Sequence, residues 1–598
     1  MWKSHYEPWE PTVARPVRIA NFSGYLGDRF TAIDEGMAGD PVDVLVGDYL
    51  AEVTLAALAA RYRKDPSRGY VEYFLDQIRP HLGAIADRGM KVVTNAGGFH
   101  PAGLAAALRE LNPGLRIAHV EGDNVITRLA EYQDSGHALE NLDTGQPLSS
   151  WGVAPMAANA YLGGWGIAAA LAEDADIVVC GRVTDASLTT GPAAWWHGWA
   201  RDDWDALAGA VAAGHVIECG PHAVGGNFSG FTRIANMLTP GFPIAEVAAD
   251  GSSVITKHAR DGGEVTVDTV TAQLVYEIQG PRYLNPDVTV HLDSLRLSQD
   301  GRDRVALSGT TGSPPPPTTK VAVFGQLGHT IVNTVYVTAP EVGAKVELLR
   351  AQIGKDLPAG ADDLDITPLG TAAEDPETQW QATVPVRVMA TARDRQALLE
   401  LDLPGRLSSL YLQSVPGFFH DGGTNLVATP RGRIDYWPAL LPMSAVPHQV
   451  VLEDGRTLDI APPPETAVGA QPVHPEPAEA PAAAKVRKAP LGSVAHARSG
   501  DKGGNSNVGV WVPDERAWPW LRDTLSTTGL RRLLPEVKDL DIVRHEFPHL
   551  RAVHFVLRGL LGTGGSSNLR VDQVGKAVGE YLRAKHVLIP EELTDGTD

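Results

Sequence analysis

The feature that most constrains the fold is an alternation of short apolar runs with helical stretches over residues 17–190. Two of the helical stretches are Tyr70–Arg88 and Pro101–Leu111. The apolar runs are compact and rich in β-branched residues: Val17–Asn21, Val42–Val46, Lys91–Thr94, Arg116–Val120 and Asp176–Cys180. Strands separated by helices indicate a mostly parallel, doubly wound sheet with helices on both faces. The sequence therefore predicts an α/β fold.

Beyond Ile217 the pattern changes, and apolar and polar residues alternate with few long helices between them. The alternation is clear over Thr266–Tyr276 and Val288–Leu297. A period of two is typical of strands with one buried face, so it predicts an additional mixed or antiparallel sheet region. We expect one large α/β body over residues 1–461, with a further boundary near residues 215–240.

Residues 462–488 (PPPETAVGAQPVHPEPAEAPAAAKVRK) are rich in Pro, Ala and Glu. Such a segment buries too little apolar surface to offset the entropy of ordering, which predicts a disordered linker. Residues 489–598 show the pattern of a four-stranded sheet backed by two helices, a small ferredoxin-like α+β domain. The linker gives this domain the reach to dock on a neighbouring chain, which favours a homo-oligomer.

Charge and cysteine content exclude several classes of partner. The net charge is −21, so the average surface repels nucleic acid and anionic membranes. Two cysteines are too few for a disulfide framework or a multi-cysteine zinc site. The N-terminal MWKSHYEPWEP has no apolar signal region, and no run approaches the ~20 apolar residues that span a bilayer. We expect a cytoplasmic protein.

Each apolar run is followed by a polar loop, and most of these loops contain glycine. The loops are Asn21–Arg29, Gly47–Glu52, Asn95–His100, Glu121–Asn124 and Gly181–Asp185. Ligands of doubly wound sheets bind beyond the carboxyl ends of the strands, so we expect these loops to meet at one edge. The candidate substrate-binding residues there are Asp28, Arg29, Asn95, Glu121, Asn124 and Arg182. The candidate proton-transfer residues are Asp123 and Asp185.

The stretch Gly214–Gly230 (GHVIECGPHAVGGNFSG) places polar side chains among glycines that allow close backbone approach to a ligand. Glu218 is a candidate general base, and Asn227 is a candidate substrate-binding residue. Cys219 has two interpretations, a nucleophile or a buried small apolar residue. With two neighbouring histidines, Glu218 also has the residue types of a two-His-one-carboxylate metal site.

In the small domain, His496–Asn507 (HARSGDKGGNSN) is a polar loop between two predicted strands, richer in glycine and charge than a hairpin requires. Its candidate substrate-binding residues are Arg498, Asp501, Lys502 and Asn505. A backbone nest with added positive charge suits an anionic group. The glycine-rich dinucleotide fingerprint, the Walker sequence and the G-x-S-x-G elbow are all absent, so NAD, ATP and serine-hydrolase interpretations lack support.

These loops resemble those of a known family. FSGYLGDR, VTNAGG, EGDN, CGRVTDASL, GHVIECG with GGNFSG, and GFPIAEVAADGSSVITKH resemble the acyclic terpene utilisation family over residues 15–455. AHARSGDKG resembles the ferredoxin-fold domain that often follows it, over residues 490–585. The resemblance implies bacterial catabolism of branched or terpenoid acids among acyl-CoA enzymes. His100 and His222 depart from the family pattern.

The leading hypothesis is a lyase or hydratase of the carbon–oxygen or carbon–carbon type, acting on a hydroxylated or unsaturated carboxylate or its CoA thioester. Arginines would hold the anion, Asp123, Asp185 or Glu218 would move the proton, and the glycine and asparagine loops would stabilise an oxyanion. A metal-assisted hydrolase with one divalent cation and a non-catalytic acyl-ligand subunit remain as alternatives. The cofactor is either absent or such a cation, and the partner is a small anionic molecule.

Overall fold

The structure is a computed structural model that describes residues 15–358, 360–421, 428–477 and 485–593. It divides into two compact units, one of residues 1–324 with 436–598 and one of residues 325–435. The N-terminal MWKSHYEPWEP lies outside the described residues. In the part of the chain that is described, every helix is too short or too polar to cross a bilayer.

The centre of the first unit is a set of parallel strands. Its parallel strands are β1 (Val17–Ser23), β2 (Val44–Gly47), β3 (Lys91–Thr94), β4 (Ile117–Glu121) and β6 (Ile177–Cys180), whereas β5 (Pro155–Ala160) pairs in another sheet. Between them run α1 (Ala32–Ala38), α2 (Glu52–Lys64), α3 (Glu72–Ile78), α4 (Leu82–Arg88), α5 (Pro101–Leu111), α6 (Leu129–Asp134), α7 (Trp165–Ala172) and α8 (Ser187–His197). The order β1-β2-β3-β6-β4 is parallel throughout. Every residue of β2 and β6 is buried, which is why these strands appear in the sequence as continuous apolar runs.

The next segment supplies antiparallel strands. It contains α9 (Trp204–Ile217), α10 (Val267–Leu274), β7 (Pro243–Val247), β8 (Ser253–Lys257), β9 (Arg282–Leu284), β10 (Thr289–His291), β11 (Arg296–Gln299), β12 (Val305–Ser308) and β13 (Thr311–Ser313). Strands β9, β10 and β13 form a small separate sheet. Hairpin connections need only short turns, so these strands pair antiparallel rather than through helical crossovers.

The second unit is built mainly on an antiparallel sheet whose strands differ in length. The strands here are β14 (Thr318–Thr338), β15 (Ala361–Pro368), β16 (Thr383–Ala392), β17 (Phe418–Phe419) and β18 (Arg431–Pro442), of which β14 and β18 begin or end in the first unit. The helices are α11 (Val342–Ile353), α12 (Gln379–Ala382), α13 (Arg395–Leu401) and α14 (Leu403–Ser409). An apolar core of its own lies between β14, β16 and these helices.

Strands β19 (Gln449–Val451) and β20 (Thr457–Asp459) complete the large sheet of the first unit. Its order is β11-β12-β8-β7-β1-β2-β3-β6-β4-β19-β20. The five central strands are parallel, but β7 and β19 join them antiparallel on either side. The prediction of an α/β fold is confirmed, whereas the sheet is mixed rather than mostly parallel, because the antiparallel segment predicted as a separate region extends the same sheet.

The C-terminal domain contains β21 (Val486–Pro490), β22 (His496–Lys502), β23 (Asn505–Trp511), β24 (Ile542–Phe547), β25 (Ala552–Leu557) and β26 (His586–Pro590) with helices α15 (Trp518–Thr524), α16 (Thr527–Leu533) and α17 (Val578–Arg583). Four strands form an antiparallel sheet in the order β22-β23-β25-β24. The predicted polar loop 496–507 is in fact a hairpin, closed by Gly503 and Gly504. Gly503 has φ of +64°, which a two-residue turn demands.

Two residues of the predicted linker, residues 462–488, form hydrogen bonds with the rest of the chain. The side chain of Gln471 accepts a hydrogen bond from the backbone N–H of Arg282 at 2.9 Å and donates to its carbonyl at 2.6 Å. Glu476 accepts a hydrogen bond from the first N–H of α16 at 3.0 Å. Part of the segment, residues 478–484, lies outside the described residues.

Candidate functional site

The loops after β2 and β3 meet at the carboxyl edge of the parallel strands, as their order requires. Asn95 donates a hydrogen bond from its side chain to the Oδ1 of Asp48 at 2.7 Å. The side-chain oxygen of Asn95 accepts the backbone N–H of Tyr49 at 2.8 Å. Both Asp48 and Asn95 are buried. The side chain of Asn95 therefore connects the two loops and holds the Asp48 carboxyl at this edge.

Arg182 and Asp185, in the loop after β6, form an ion pair with each other. The guanidinium carbon of Arg182 lies 4.1 Å from the centre of the Tyr161 ring, a cation–π contact. Its Nη1 also donates to the Val183 carbonyl at 2.9 Å. Arg182 is buried, whereas the side chain of Asp185 is 29% exposed. The arginine thus orients Asp185, and the carboxylate faces solvent.

Lys320 and Tyr161, which the sequence did not point to, lie beside this pair together with Glu52. Lys320, on β14, forms an ion pair with Glu52 at 2.9 Å, and the Tyr161 hydroxyl donates to the same Glu52 oxygen at 3.1 Å. Although burial acts in the opposite direction, the charges of Lys320, Arg182 and Lys502 hold the pKa of Glu52 well below its usual range. The only signal for Lys320 was a single charge in an otherwise apolar strand sequence.

Glu218 follows the last turn of α9. Its Oε1 lies 3.0 Å from the Nδ1 of His215, and its Oε2 is buried without a partner among the described residues. Burial, and then the nearby charge of Asp185, raise the pKa of Glu218 well above its usual range. Burial and the charge of Lys502 lower the pKa of His215 to about 4, so this histidine is neutral. The pair therefore places a carboxyl with a raised pKa against a neutral imidazole.

The C-terminal domain forms part of the site, because its β22–β23 hairpin packs on residues 275–277 of the body. Asn507 donates from its side chain to the Val275 carbonyl at 3.0 Å and accepts the N–H of Glu277 at 3.1 Å. At the tip of the hairpin, the N–H of Gly504 donates to Asp143 at 2.9 Å. Hydrogen bonds to backbone at one end and to a carboxylate at the other fix the hairpin against the body.

Lys502 stands at the end of β22, where this docking places it among carboxyl groups. Its charge lowers the pKa of Glu52, Glu218 and Glu277, against the opposite effect of burial. No carboxylate of the described residues lies within ion-pair distance of its ammonium group. Lys502 is therefore a cation without an ion-pair partner among the described residues.

Six acidic residues share this region, and we call them the carboxyl cluster: Asp48, Glu52, Asp185, Glu218, Glu277 and Asp501. Burial raises the pKa of Glu277 to about 7. Glu277 also has φ of +51°, a strained backbone conformation of the kind that concentrates at functional sites. Burial and the carboxylates of Glu277 and Glu52 raise the pKa of Asp501. The cluster thus contains carboxyl groups of unequal proton affinity around one free ammonium.

Asp28 and Arg29, predicted to bind substrate, have local partners instead. Asp28 accepts the backbone N–H of Gly24 at 2.6 Å, as a loop-closing residue does. Arg29 forms an ion pair with Glu35 and donates to the Pro240 carbonyl at 2.8 Å. Its guanidinium is therefore occupied, and the structure does not bring either residue into contact with the carboxyl cluster.

The polar side chains of the loop after β4 also have partners within the protein. Asp123 is buried, and one of its carboxyl oxygens accepts the Arg182 N–H at 2.7 Å and the side-chain amide of Asn159 at 2.6 Å. Glu121 lies 3.4 Å from His119. Asn124 accepts the N–H two residues ahead of it at 3.4 Å. Asp123 thus holds the Arg182 loop in place, and the side chains of Glu121 and Asn124 contact residues close to them in the chain.

Two predicted asparagines also make structural contacts. Asn505 donates to Asp143 at 2.6 Å and accepts the N–H of Gly559 at 2.9 Å, so it fixes the hairpin tip. Asn227 has φ of +56° and presents its carbonyl to Arg498 at 3.1 Å. Within the described ranges, no group of three or more His, Cys, Asp or Glu residues is arranged to hold a metal ion.

Fold and site together define a class: an α/β protein with ionisable side chains at the carboxyl ends of its parallel strands, completed by an antiparallel C-terminal domain. The profile described as "Acyclic terpene utilisation family protein AtuA" matches residues 17–452, and the profile "AtuA ferredoxin-like domain" matches residues 489–588. The chain belongs to the acyclic terpene utilisation family, which confirms the resemblance seen in its loops. Comparisons with curated proteins and with solved structures gave no match.

Proposed function

We propose that this protein is a lyase or hydratase that removes or adds water at a hydroxylated or unsaturated carboxylic acid, as the free acid or its CoA thioester. The observation that carries the proposal is the pairing of two unlike carboxyls. Glu218 has a raised pKa, while Asp185 is ion-paired with Arg182. Two neighbouring acids with environments that separate their proton affinities are suited to act as acid and base.

In the elimination direction, the ionised Asp185 takes the proton next to the substrate carbonyl. The protonated Glu218 gives its proton to the departing hydroxyl. A C–H and a C–O bond break, a C=C bond forms, and water leaves; hydration is the reverse. Electron density that develops on the substrate carbonyl oxygen is stabilised by the ammonium of Lys502. We place the substrate anion at Lys502, and not at Arg29 or Arg182, because those two already have carboxylate partners.

Turnover of a panel of 2- and 3-hydroxy acids, enoic acids and their CoA thioesters tests the proposal, with product identified by mass spectrometry. E218Q and D185N should each lower kcat by about 10²–10⁴-fold, the contribution of a positioned proton-transfer group. E131Q is the matched control, because Glu131 is 61% exposed and pairs only with Arg128. Ligand binding without turnover across the panel would point to an acyl-ligand subunit and contradict the proposal. Full activity of E218Q would also contradict it.

A further inference from the structure

A second group of charged residues lies beside the carboxyl cluster, where the C-terminal domain meets Tyr276. The guanidinium carbon of Arg498 lies 4.4 Å from the centre of the Tyr276 ring. The ammonium of Lys576 lies 4.3 Å from the same centre. Both cations come from the C-terminal domain and the ring comes from the body, so the group exists only when the two are docked.

Arg498 forms no ion pair with a carboxylate of the described residues. Its Nη1 donates to the Asn227 carbonyl at 3.1 Å, and its Nη2 lies 2.9 Å from the nearest ring nitrogen of His222. No carboxylate of the described residues lies within 4.0 Å of its guanidinium, although the residue is only 7% exposed. A buried charge without a counter-ion is costly. An anionic ligand would supply the missing counter-charge.

The neighbouring groups do not provide it. Burial, with the charges of Arg498 and Lys576, lowers the pKa of His222 well below its usual range, so its ring is neutral. Burial and the carboxyl of Glu218 raise the pKa of Cys219, which keeps the thiol protonated. Lys576 pairs with Glu277 at 3.2 Å. Two cations thus share one carboxyl whose pKa is about 7, and positive charge is left over.

We propose that Arg498, Lys576, His222 and Tyr276 form an oxyanion subsite that takes a phosphate or carboxylate group. The free N–H groups of a guanidinium bind such groups through paired hydrogen bonds. Glu277 connects this subsite to the carboxyl cluster, since it contacts Lys576 and is influenced by Lys502. The assignment of this group to the remote end of the substrate rests on the proposed function. The existence of the subsite is independent of that function.

Calorimetric titration of the full chain with inorganic phosphate and, separately, with acetate tests the subsite at low ionic strength. Saturable binding is expected, weakened at least tenfold in R498M and in K576M. R302M is the matched control, because Arg302 is 92% exposed and should bind as wild type. Preference for phosphate or for acetate identifies the group that the subsite takes. Equal binding by wild type, R498M and K576M would mean an adventitious ion only and would overturn the proposal.

Two further measurements separate binding from folding. R498M should be as stable as wild type, or more so, in the absence of an anion, because it removes an uncompensated buried charge. If R498M does not fold, R498K keeps the charge, loses the paired hydrogen bonds and should bind with intermediate affinity. Intact phosphate binding by an E218Q variant, or by a protein without turnover, would leave the subsite standing while the proposed reaction failed.

Discussion

At the scale of single residues, Glu277 connects the two charged groups, because its carboxyl contacts Lys576 and its charge acts on Glu218. The negative charge of Glu277 is one cause of the raised pKa of Glu218, after burial and Asp185. E277Q removes that charge and should lower the pKa of Glu218. If protonated Glu218 is the acid, the alkaline limb of kcat/KM then moves to lower pH. A pH profile of wild type and E277Q checks this, and a limb that stays in place or moves to higher pH would contradict the role of Glu218.

Asp123 should affect stability with a definite pH dependence. Burial raises its pKa from 3.8 to about 6 in the folded chain. A carboxyl with a raised folded pKa contributes stability that is fully present below pH 3.8 and is lost as the pH rises through about 6. The shift corresponds to about 3 kcal/mol. D123N lacks this titration, so the free energy of unfolding of wild type relative to D123N should fall by about that amount between pH 4 and pH 7. Urea unfolding at several pH values measures it, and a constant difference would show that Asp123 does not titrate in this range.

At the scale of elements, the β22–β23 hairpin decides whether the site is complete. Asn507 makes two hydrogen bonds to the backbone of the body and one to His554 at 3.1 Å. N507A leaves these buried groups unpaired and should destabilise the chain by about 1–3 kcal/mol. It should also lower turnover, because the N–H of Glu277 loses its acceptor. Urea unfolding and kinetics on the same variant check both effects; stability and activity like those of wild type would show that the docking does not depend on Asn507.

The close approach of this hairpin requires a glycine. A Cβ on Gly509 would lie 2.4 Å from the Cγ2 of Val275, closer than atoms can pack. G509V therefore forces β23 away from the body and should cost about 1–3 kcal/mol or more, as overpacking does. G301A is the control, since a Cβ there meets nothing within 4 Å, although its φ of +96° carries a cost of its own. Thermal unfolding of both variants tests this, and a smaller loss in G509V than in G301A would contradict the docked arrangement.

At the scale of the whole molecule, the C-terminal domain has an apolar core of its own and also packs into the core of the body. Trp511 packs in the core of the body and donates to Asp268 at 3.0 Å, and His496 contacts Arg233 at 2.7 Å. Elements that share a core unfold together. Calorimetry should therefore show the C-terminal domain unfolding in the same transition as the body. A separate transition of the size expected for about 100 residues would mean that the domain is only tethered.

Much of the architecture could be predicted from the sequence because it follows from local patterns. The apolar runs at β1, β2, β3, β4 and β6 are buried on both faces, and such runs are visible in any sequence. The parallel order then requires that Asp48, Asn95 and Asp185 follow strands at one edge. The antiparallel pattern after Ile217 was also clear, but whether it extended the first sheet or formed another depended on long-range pairing.

Tertiary structure alone decided which charges are free. Arg29 and Arg182 resemble anion-binding residues in sequence, yet each has a carboxylate partner, at Glu35 and Asp185. Lys502 forms no ion pair with a described residue, although the docked hairpin brings it near acids that lie far away in the chain. The composition and order of residues fix which groups exist and which strands carry them. The balance of burial and opposite charge, which sets their protonation and availability, depends on neighbours that only the folded chain brings together.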